Sequence, residues 1–230
     1  MNTKPIVPLA LAALIAPLCA QEKTPLNDQK DKISYSIGAN IGAGLKNDGV
    51  EINIEALAAG LKDSLTGAAP QLSAEEQGKV LAVFRQEMTA KAAAQRQALG
   101  NKTKKEGEDF LAANKVKDGV KTLPSGLQYK VLAEGAGDSP KPTDEVSVNY
   151  RGTLIDGTEF DSSYKRGEPA SFGVTQVIKG WTEALQLMKP GAKWQLFIPS
   201  ELAYGERGAG RNIPPNAALV FEVELLGLKK

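Results

Sequence analysis

The side chains that could take part in a reaction are few and of an unusual kind. The chain contains no histidine and a single cysteine, Cys19. Nucleophiles activated by histidine and zinc sites with histidine ligands therefore cannot be built from it. Large apolar side chains instead lie in or beside segments rich in turn residues, namely Phe160, Phe172, Tyr204 and Ile213. Because loops run over the surface, a hydrophobic core alone explains this set poorly, and these residues are candidates for a functional site.

Trp181 stands at the first turn of a short amphipathic helix. The spacing of Trp181, Ala184, Leu185 and Met188 predicts a helix around 181–188 that buries one face. Taken alone, such a stripe is far more often core than binding surface. A helix usually begins with a small polar cap, whereas here two β-branched residues and a glycine precede the tryptophan.

Several spaced motifs, in order, resemble one family. VSVNYRGTLIDGTEFDSSY, QVIKGWTEALQLMKPGAKWQLFIPSELAYGERG and IPPNAALVFEVELLGL are similar to FKBP-type peptidyl-prolyl cis/trans isomerases. This resemblance covers about residues 120–230. Upstream, DKISYSIGANIGAGLK, INIEALAAGLKDSL and LPSGLQYKVL resemble the dimerising N-terminal region of the Mip-like (macrophage infectivity potentiator) bacterial branch of that family.

The resemblance implies a ligand pocket between a strongly twisted antiparallel sheet and one short helix. In that pocket Trp181 forms the floor that receives a proline ring, Val177 and Ile178 form a wall, and the Ile178 N–H donates to a substrate carbonyl. The motifs carry over ten site residues, which are Tyr150, Phe160, Asp161, Phe172, Val177, Ile178, Trp181, Tyr204, Ile213 and Phe221. The implied partners are proline-containing unfolded or partly folded polypeptides, with macrolides such as rapamycin as inhibitors.

This reaction suits a site without a base or a nucleophile. Rotation about an X–Pro bond must break amide resonance, across a barrier of about 18–20 kcal/mol. The planar amide has a large dipole that water stabilises, and the dipole is smaller in the twisted transition state. An apolar pocket therefore destabilises the ground state more than the transition state. Neither a cofactor nor a metal ion is expected.

Asp161 is the one carboxylate with two interpretations. An arbitrary aspartate beside Asp156 and Glu159 would be a solvated loop residue, whereas the motif FDSS indicates a pocket role, oriented by hydrogen bonds that include Arg166.

Two positions depart from the family pattern. Ala170 stands where many relatives carry an aromatic residue and Asn212 where a second aliphatic is common. These departures bear on substrate preference and on macrolide affinity.

The C-terminal half reads as an antiparallel sheet. Alternating segments rich in β-branched and aromatic residues are LQYKVL, EVSVNYRGTL, KWQLFIP and ALVFEVELLGL, and glycine or proline turns separate them. Only one short helix interrupts these strands, so the fold class predicted for this half is α+β.

The N-terminal half reads as helical. Ile33, Ile37, Ile41 and Leu45 recur every four residues, and a second stripe follows Asn53, which can cap a helix that ends at Gly67. Such short helices bury little apolar area alone, so we expect a homodimer through them. A third helix begins near Ser73 and continues into a solvated connecting helix. Gly100 and Gly107 weaken its continuity, and the sequence leaves open whether it bends near Gly100-Asn101.

The first twenty residues read as a secretory signal peptide. Lys4 precedes an apolar run that ends in small residues, with cleavage expected after Ala20. A lipoprotein signal at Cys19 is disfavoured because Leu18 is bulky at a position that prefers a small residue. The protein is therefore expected to be exported, to the periplasm or the outer membrane, without a transmembrane segment in its mature form. The formal net charge of +1 gives no reason to expect nucleic acid as a partner.

Residues 1–20 are thus assigned to the signal peptide, 21–88 to an all-helical dimerisation domain, 89–118 to the connecting helix and 119–230 to the isomerase domain.

Two alternative functions remain open beside isomerisation. One is a holdase chaperone that acts through the cleft of a dimer, and the other is a ligand-binding module with an inactive pocket. The full aromatic set disfavours the latter. Isomerisation should reside in 120–230 alone, whereas holdase activity should need 21–100.

Overall fold

The computed structural model describes residues 24–229, so the predicted signal peptide lies outside the described residues. The described chain separates into two compact units, the first ending at Ser73 and the second beginning at Ala74. Within the described residues no helix is long and apolar enough to cross a membrane.

The first unit contains two capped helices, α1 (Gln29–Asn47) and α2 (Ile54–Thr66). Asp28 caps α1, and its carboxylate accepts a hydrogen bond from the Asp31 N–H at 2.8 Å. Asn53 caps α2 in the same way through the Ala56 N–H at 2.9 Å, as its position before the apolar stripe predicts. Gly67 ends α2 with a φ of 70°, the left-handed conformation that glycine adopts most readily.

The apolar stripe of α1 forms as predicted but is not buried within one chain. Ile33, Ile37 and Ile41 are 51%, 56% and 47% exposed. No residue of α1 or α2 is buried. These helices therefore present their apolar faces to the surroundings of the single chain.

The second unit begins with α3 (Ala74–Asn114), a single helix of 41 residues. It runs through Gly100 and Gly107 without interruption, which decides the continuity that the sequence left open. Both glycines are buried, as is Asn114. The C-terminal half of α3 therefore packs against other residues on one side, whereas the sequence predicted a solvated helix. The absence of side chains at these positions lets other parts of the unit approach the helix axis closely.

After α3 the described residues include two 3₁₀ helices, Ser200–Leu202 and Gly205–Arg207. They also contain seven strands and two short α-helices. In chain order these are β1 (Val120–Thr122), β2 (Gln128–Ala133), β3 (Glu145–Leu154), β4 (Glu159–Ser162), α4 (Ser163–Arg166), β5 (Ala170–Gly173), α5 (Lys179–Leu185), β6 (Lys193–Ile198) and β7 (Leu219–Lys229). All pairings are antiparallel, in the order β1-β2-β6-β7-β3-β4, and β5 also pairs with β3. β3 pairs with β7 along its whole length, so these two strands form the centre of the sheet.

The core lies between this sheet and α5. Ala184, Leu185 and Met188 are at most 1% exposed, which confirms the face predicted from their spacing. Sheet residues such as Val148 and Val223 contribute to the same apolar cluster. The α+β class with an antiparallel sheet packed on one short helix is confirmed.

Candidate active site

The first turn of α5 brings Trp181 against the sheet. A Cβ atom at Gly180 would lie 2.6 Å from Cγ2 of Ile198 in β6, so only glycine permits this approach. Ile178 precedes the helix in extended conformation, and its carbonyl accepts hydrogen bonds from the N–H groups of Trp181 and Thr182 at 2.9 and 3.1 Å. The Thr182 hydroxyl donates to the Val174 carbonyl at 2.8 Å and fixes α5 to the preceding segment. Backbone contacts thus replace a polar side-chain cap here.

Aromatic rings from three strands surround the indole of Trp181, edge to face. The ring centroids of Tyr150, Phe221 and Phe172 lie 5.1, 5.3 and 6.0 Å from that of Trp181, at interplanar angles of 82–90°. Such geometry places the positive edge of one ring on the negative face of another and holds the rings in fixed orientations. The aromatic cluster is therefore a rigid apolar surface.

Gly152 in β3 leaves room for the rings of Phe160 and Phe221. A Cβ atom there would lie 2.6 Å from Phe221 and 2.8 Å from Phe160. The two phenyl rings meet edge to face with centroids 5.5 Å apart. The missing side chain at Gly152 therefore lets both rings cover this part of the sheet.

A cavity of about 380 Å³ opens beside the aromatic cluster. Its lining residues are Tyr150, Phe160, Asp161, Phe172, Gln176, Val177, Ile178, Trp181, Tyr204 and Phe221. Nine of the ten residues predicted from sequence are thus brought to one cavity. Ile213 is not among the lining residues; it is 7% exposed and belongs to the same core cluster as Tyr150, Trp181 and Phe221. A second cavity of about 340 Å³, beside Phe110 and Asn114, contains none of the predicted residues.

Tyr150, Asp161 and Arg166 form a hydrogen-bonded network at the cavity wall. The Tyr150 hydroxyl donates to Asp161 Oδ2 at 2.5 Å, and Arg166 donates to Asp161 Oδ1 at 2.5 Å and to the Tyr150 oxygen at 2.8 Å. Burial opposes ionisation of Asp161, but the hydrogen bonds from Tyr150 and Arg166 and the guanidinium charge hold its pKa below the ordinary value. Burial, together with the hydrogen bond to Asp161, raises the pKa of Tyr150. Asp161 is accordingly an anion that orients its neighbours and is a poor proton acceptor.

Ser163 binds the backbone of Tyr150, a contact that sequence reasoning missed. Its hydroxyl oxygen accepts a hydrogen bond from the Tyr150 N–H at 2.9 Å, in a buried position that joins α4 to β3. The motif FDSS includes this residue as its second serine, but nothing in the pattern distinguishes it from Ser162, which caps α4. Gln176 was also missed, because a polar side chain in a turn has no distinguishing pattern.

Two donors at the cavity are free to bind a ligand. Among the described residues, neither the Ile178 N–H nor the Tyr204 hydroxyl has a hydrogen-bond partner. Tyr204 is 40% exposed, and burial together with the negative charge of Asp161 raises its pKa, so it is a protonated donor at neutral pH. Both residues line the cavity, so carbonyl groups bound there are the acceptors that these donors could bind.

Comparison with known proteins gives this arrangement a context. The family described as "FKBP-type peptidyl-prolyl cis-trans isomerase" matches residues 137–226, and "Domain amino terminal to FKBP-type peptidyl-prolyl isomerase" matches residues 30–131. The outer membrane protein MIP of Legionella longbeachae is 47% identical over 99% of this chain and 97% of its own. The chain belongs to the FKBP-type peptidyl-prolyl isomerases.

Two further FKBP-type relatives agree with this assignment along most of the sequence. The peptidyl-prolyl cis-trans isomerase Mip of Coxiella burnetii is 44% identical, over 98% of each chain. The crystal structure of FkpA from Escherichia coli matches with a TM-score of 0.72 and 40% identity, covering 89% of this chain and 99% of FkpA. The likeness thus extends over the helical N-terminal region as well as the sheet.

The enzyme activity follows from membership of this family. The protein is a peptidyl-prolyl cis–trans isomerase, as the resemblance of its motifs predicts. The alternative of a holdase chaperone as the principal function is not favoured by these relatives, whose names describe isomerases.

Proposed function

We propose that the cavity around Trp181 is where the isomerase binds and rotates the prolyl amide. The observation that carries this proposal is the buried indole in the wall of an aromatic cavity of about 380 Å³. Pockets for small ligands usually measure about 300–1,000 Å³ and combine apolar walls with a few polar groups. The cavity fits a proline ring with its neighbouring amides on both counts.

In this proposal the apolar walls supply the driving force. Trp181, Phe221 and Tyr150 exclude water from the amide, whose planar form loses more solvation than its twisted form. The Ile178 N–H and the Tyr204 hydroxyl then hold carbonyls next to the rotating bond. Each 1.4 kcal/mol of preference for the twisted amide accelerates rotation about tenfold. No proton is transferred, so the ionised Asp161 acts by orienting Tyr150.

The two tryptophans provide a matched test. Trp194 stacks on Tyr129 with centroids 4.2 Å apart, outside the cavity, and is buried to nearly the same extent as Trp181. Truncation of either indole in a core costs about 3–5 kcal/mol of stability. Only Trp181→Ala removes part of the proposed site, so it should lower kcat/KM on a proline tetrapeptide more than tenfold, and Trp194→Ala should not.

The measurement is a protease-coupled isomerisation assay at low temperature, on variants that circular dichroism shows to be folded. Each variant keeps one tryptophan, so its fluorescence reports the fold independently of activity. Equal losses in both variants would mean that activity follows stability and not the cavity. That result would move the active site away from Trp181.

The partners and the division into domains belong to the same proposal. The exposed apolar faces of α1 and α2 would be covered by a second copy of the chain, which agrees with the match of the N-terminal region to Mip-type relatives. We assign dimerisation to residues 21–88 and catalysis to 119–230, with a connecting helix over 89–118. A dimer with two pockets can also hold unfolded chains, which leaves chaperone activity as an additional role.

Export completes the proposal. The signal-like sequence of residues 1–20 and the name of the Legionella relative, an outer membrane protein, both support a periplasmic or outer-membrane location. A mature protein that begins at Gln21 when isolated from the cell envelope is the expected result. An intact Met1 terminus in the envelope fraction would contradict cleavage.

A further inference from the structure

The loop at residues 205–216, called here the 205–216 loop, is closed upon itself. The Asn216 N–H donates to the Gly205 carbonyl at 2.8 Å, and Ala209 and Ile213 exchange two backbone hydrogen bonds at 3.0 and 3.1 Å. Asn216 has a φ of 58°, which turns the chain back at the end of the loop. Because its two ends and its middle are each tied, the loop should move as one body.

The C-terminal half of α3 binds this loop at three points. Arg96 donates to the Arg207 carbonyl at 2.6 Å, Thr103 donates to the Pro215 carbonyl, and Asn216 donates from its side chain to the Gly100 carbonyl at 3.2 Å. The helix thus contacts both the beginning and the end of the loop. These bonds join positions more than 100 residues apart in the chain.

Glycines on α3 make this contact close. A Cβ atom at Gly100 would lie 3.2 Å from both Pro215 and Asn216 side-chain atoms, and one at Gly107 would lie 3.0 Å from Cβ of Ala218. A side chain at Gly100 would push α3 away from the 205–216 loop, and one at Gly107 would push it away from Ala218, just beyond the loop. Small residues and hydrogen bonds together therefore form a fitted interface within the second unit.

Tyr204 is the residue of the candidate site that lies nearest in sequence to this interface. It precedes the 205–216 loop directly and lines the cavity, and within the described residues its hydroxyl makes no hydrogen bond that would hold it. We propose that α3 is a brace that positions Tyr204 for catalysis by holding the 205–216 loop through Arg96, Gly100 and Thr103. The inference rests on the proposed function, since it assigns an origin to the placement of one residue of that site.

The experiment uses the full chain and removes one bond of the brace. Thr103→Val keeps the shape of the side chain but cannot donate to Pro215, nor to the Leu99 and Gly100 carbonyls of its own helix, which the same hydroxyl reaches at 3.0 and 3.2 Å. It should lower kcat/KM on a proline tetrapeptide about threefold to tenfold, the range that the usual net contribution of one hydrogen bond produces. Thr89→Val is the matched control, because the Thr89 hydroxyl bonds only to the Arg85 carbonyl of the same helix at 2.8 Å. This control should retain the parent activity.

A double-mutant cycle with Tyr204→Ala separates positioning from general destabilisation. If the brace acts through Tyr204, Thr103→Val should have no further effect in the Tyr204→Ala background. Equal effects of Thr103→Val in both backgrounds would overturn the proposal. If Tyr204→Ala lowers activity while Thr103→Val leaves it unchanged, the brace fails and the proposed site stands. An unchanged activity in Tyr204→Ala would remove Tyr204 from the site and overturn both its role and the brace.

Hydrogen exchange gives a measurement that does not depend on activity. In Thr103→Val the amides of Ile213 and Asn216 should exchange severalfold faster, while those of β7 keep their protection. Unchanged exchange in the 205–216 loop would contradict the brace. Should Thr103→Val not fold, Arg96→Gln removes the bond to Arg207 at the exposed surface, with Arg85→Gln as its control, because Arg85 bonds to the Leu81 carbonyl of its own helix.

Discussion

At the scale of single residues, the site separates apolar walls from one fixed charge. Phe172 and Phe221 each meet the Trp181 indole edge to face, which favours one fixed orientation of the indole. Asp161 and Arg166 lie at the wall, 44% exposed each, where water partly screens them. Their contribution is therefore to hold the Tyr150 ring, over which the Arg166 guanidinium lies at 5.3 Å.

The charge of Asp161 predicts a particular loss of stability in acid. Its folded-state pKa is lowered, so the ionised carboxylate stabilises the fold above the unfolded pKa of about 3.9, and this contribution disappears as pH falls through the lower folded value. Asp161→Asn should therefore lower the melting temperature at pH 6 and have little effect near pH 2. Thermal unfolding from pH 2 to pH 7 measures the difference.

Asp138→Asn serves as the comparison, because Asp138 is exposed in a loop outside the cavity. It should leave the melting temperature unchanged over the whole range. A constant difference between Asp161→Asn and the parent at every pH would show that the carboxylate charge is not what stabilises the network.

At the scale of elements, α5 and the sheet define the cavity by their close approach. The helix has seven residues and no polar cap, so its position depends on the packing of Gly180 against Ile198 and on the bond from Thr182 to Val174. A short helix of this kind would not be stable without its tertiary contacts. The floor of the cavity is thus set by the distance between helix and sheet.

Gly180→Ala should move this helix. Its new methyl group would lie 2.6 Å from Ile198 Cγ2, an overlap that costs about 1–3 kcal/mol of unfolding free energy. Urea unfolding followed by tryptophan fluorescence measures this loss, and kcat/KM should fall with it because Trp181 is the next residue. Gly227→Ala, in β7, meets nothing within 4 Å and should leave both quantities close to those of the parent.

The long elements could be predicted from the sequence because their patterns repeat. The alternation in EVSVNYRGTL and LVFEVELLGL located β3 and β7, and the caps at Asn53 and Gly67 located the ends of α2. β1, β4 and β5 have three or four residues, too few to show an alternation, and they were not predicted.

The candidate site was predictable in composition but not in every position. Family motifs identified nine of the residues that line the cavity, whereas Ile213 does not line it and its role in the site stays a prediction. The packing of α3 was missed for a different reason. Its interface uses Gly100 and Gly107, which leave no apolar stripe to detect.

At the scale of the whole molecule, the two units differ in how much apolar surface they bury. The second unit buries its aromatic and aliphatic residues in one core, whereas α1 and α2 of the first unit contain no buried residue. Exposed apolar patches of this extent usually mark an interaction surface. A second copy of the chain is the partner that we propose for it.

Ile37→Lys should weaken that association. The lysine would place a charge in the middle of the apolar face of α1, which is 56% exposed at this residue in the single chain. Sedimentation at micromolar concentration should show a dimer for the parent and a monomer for the variant, with activity on a short peptide unchanged. Ser36→Lys adds the same charge one residue away, where the serine hydroxyl bonds only to its own helix, and should remain dimeric. A monomeric parent protein would contradict the dimer itself.

The central position of β7 also determines when this enzyme can first act. The strand follows the other six described strands in sequence, yet it lies between β6 and β3 and carries Phe221 into the cavity. Closing the sheet therefore needs contacts between distant parts of the polypeptide, which form late during synthesis. A nascent chain whose residues 219–229 are still inside the ribosome would lack both the strand between β6 and β3 and the Phe221 wall of the cavity, so it cannot isomerise its own prolyl bonds before that segment is free to fold.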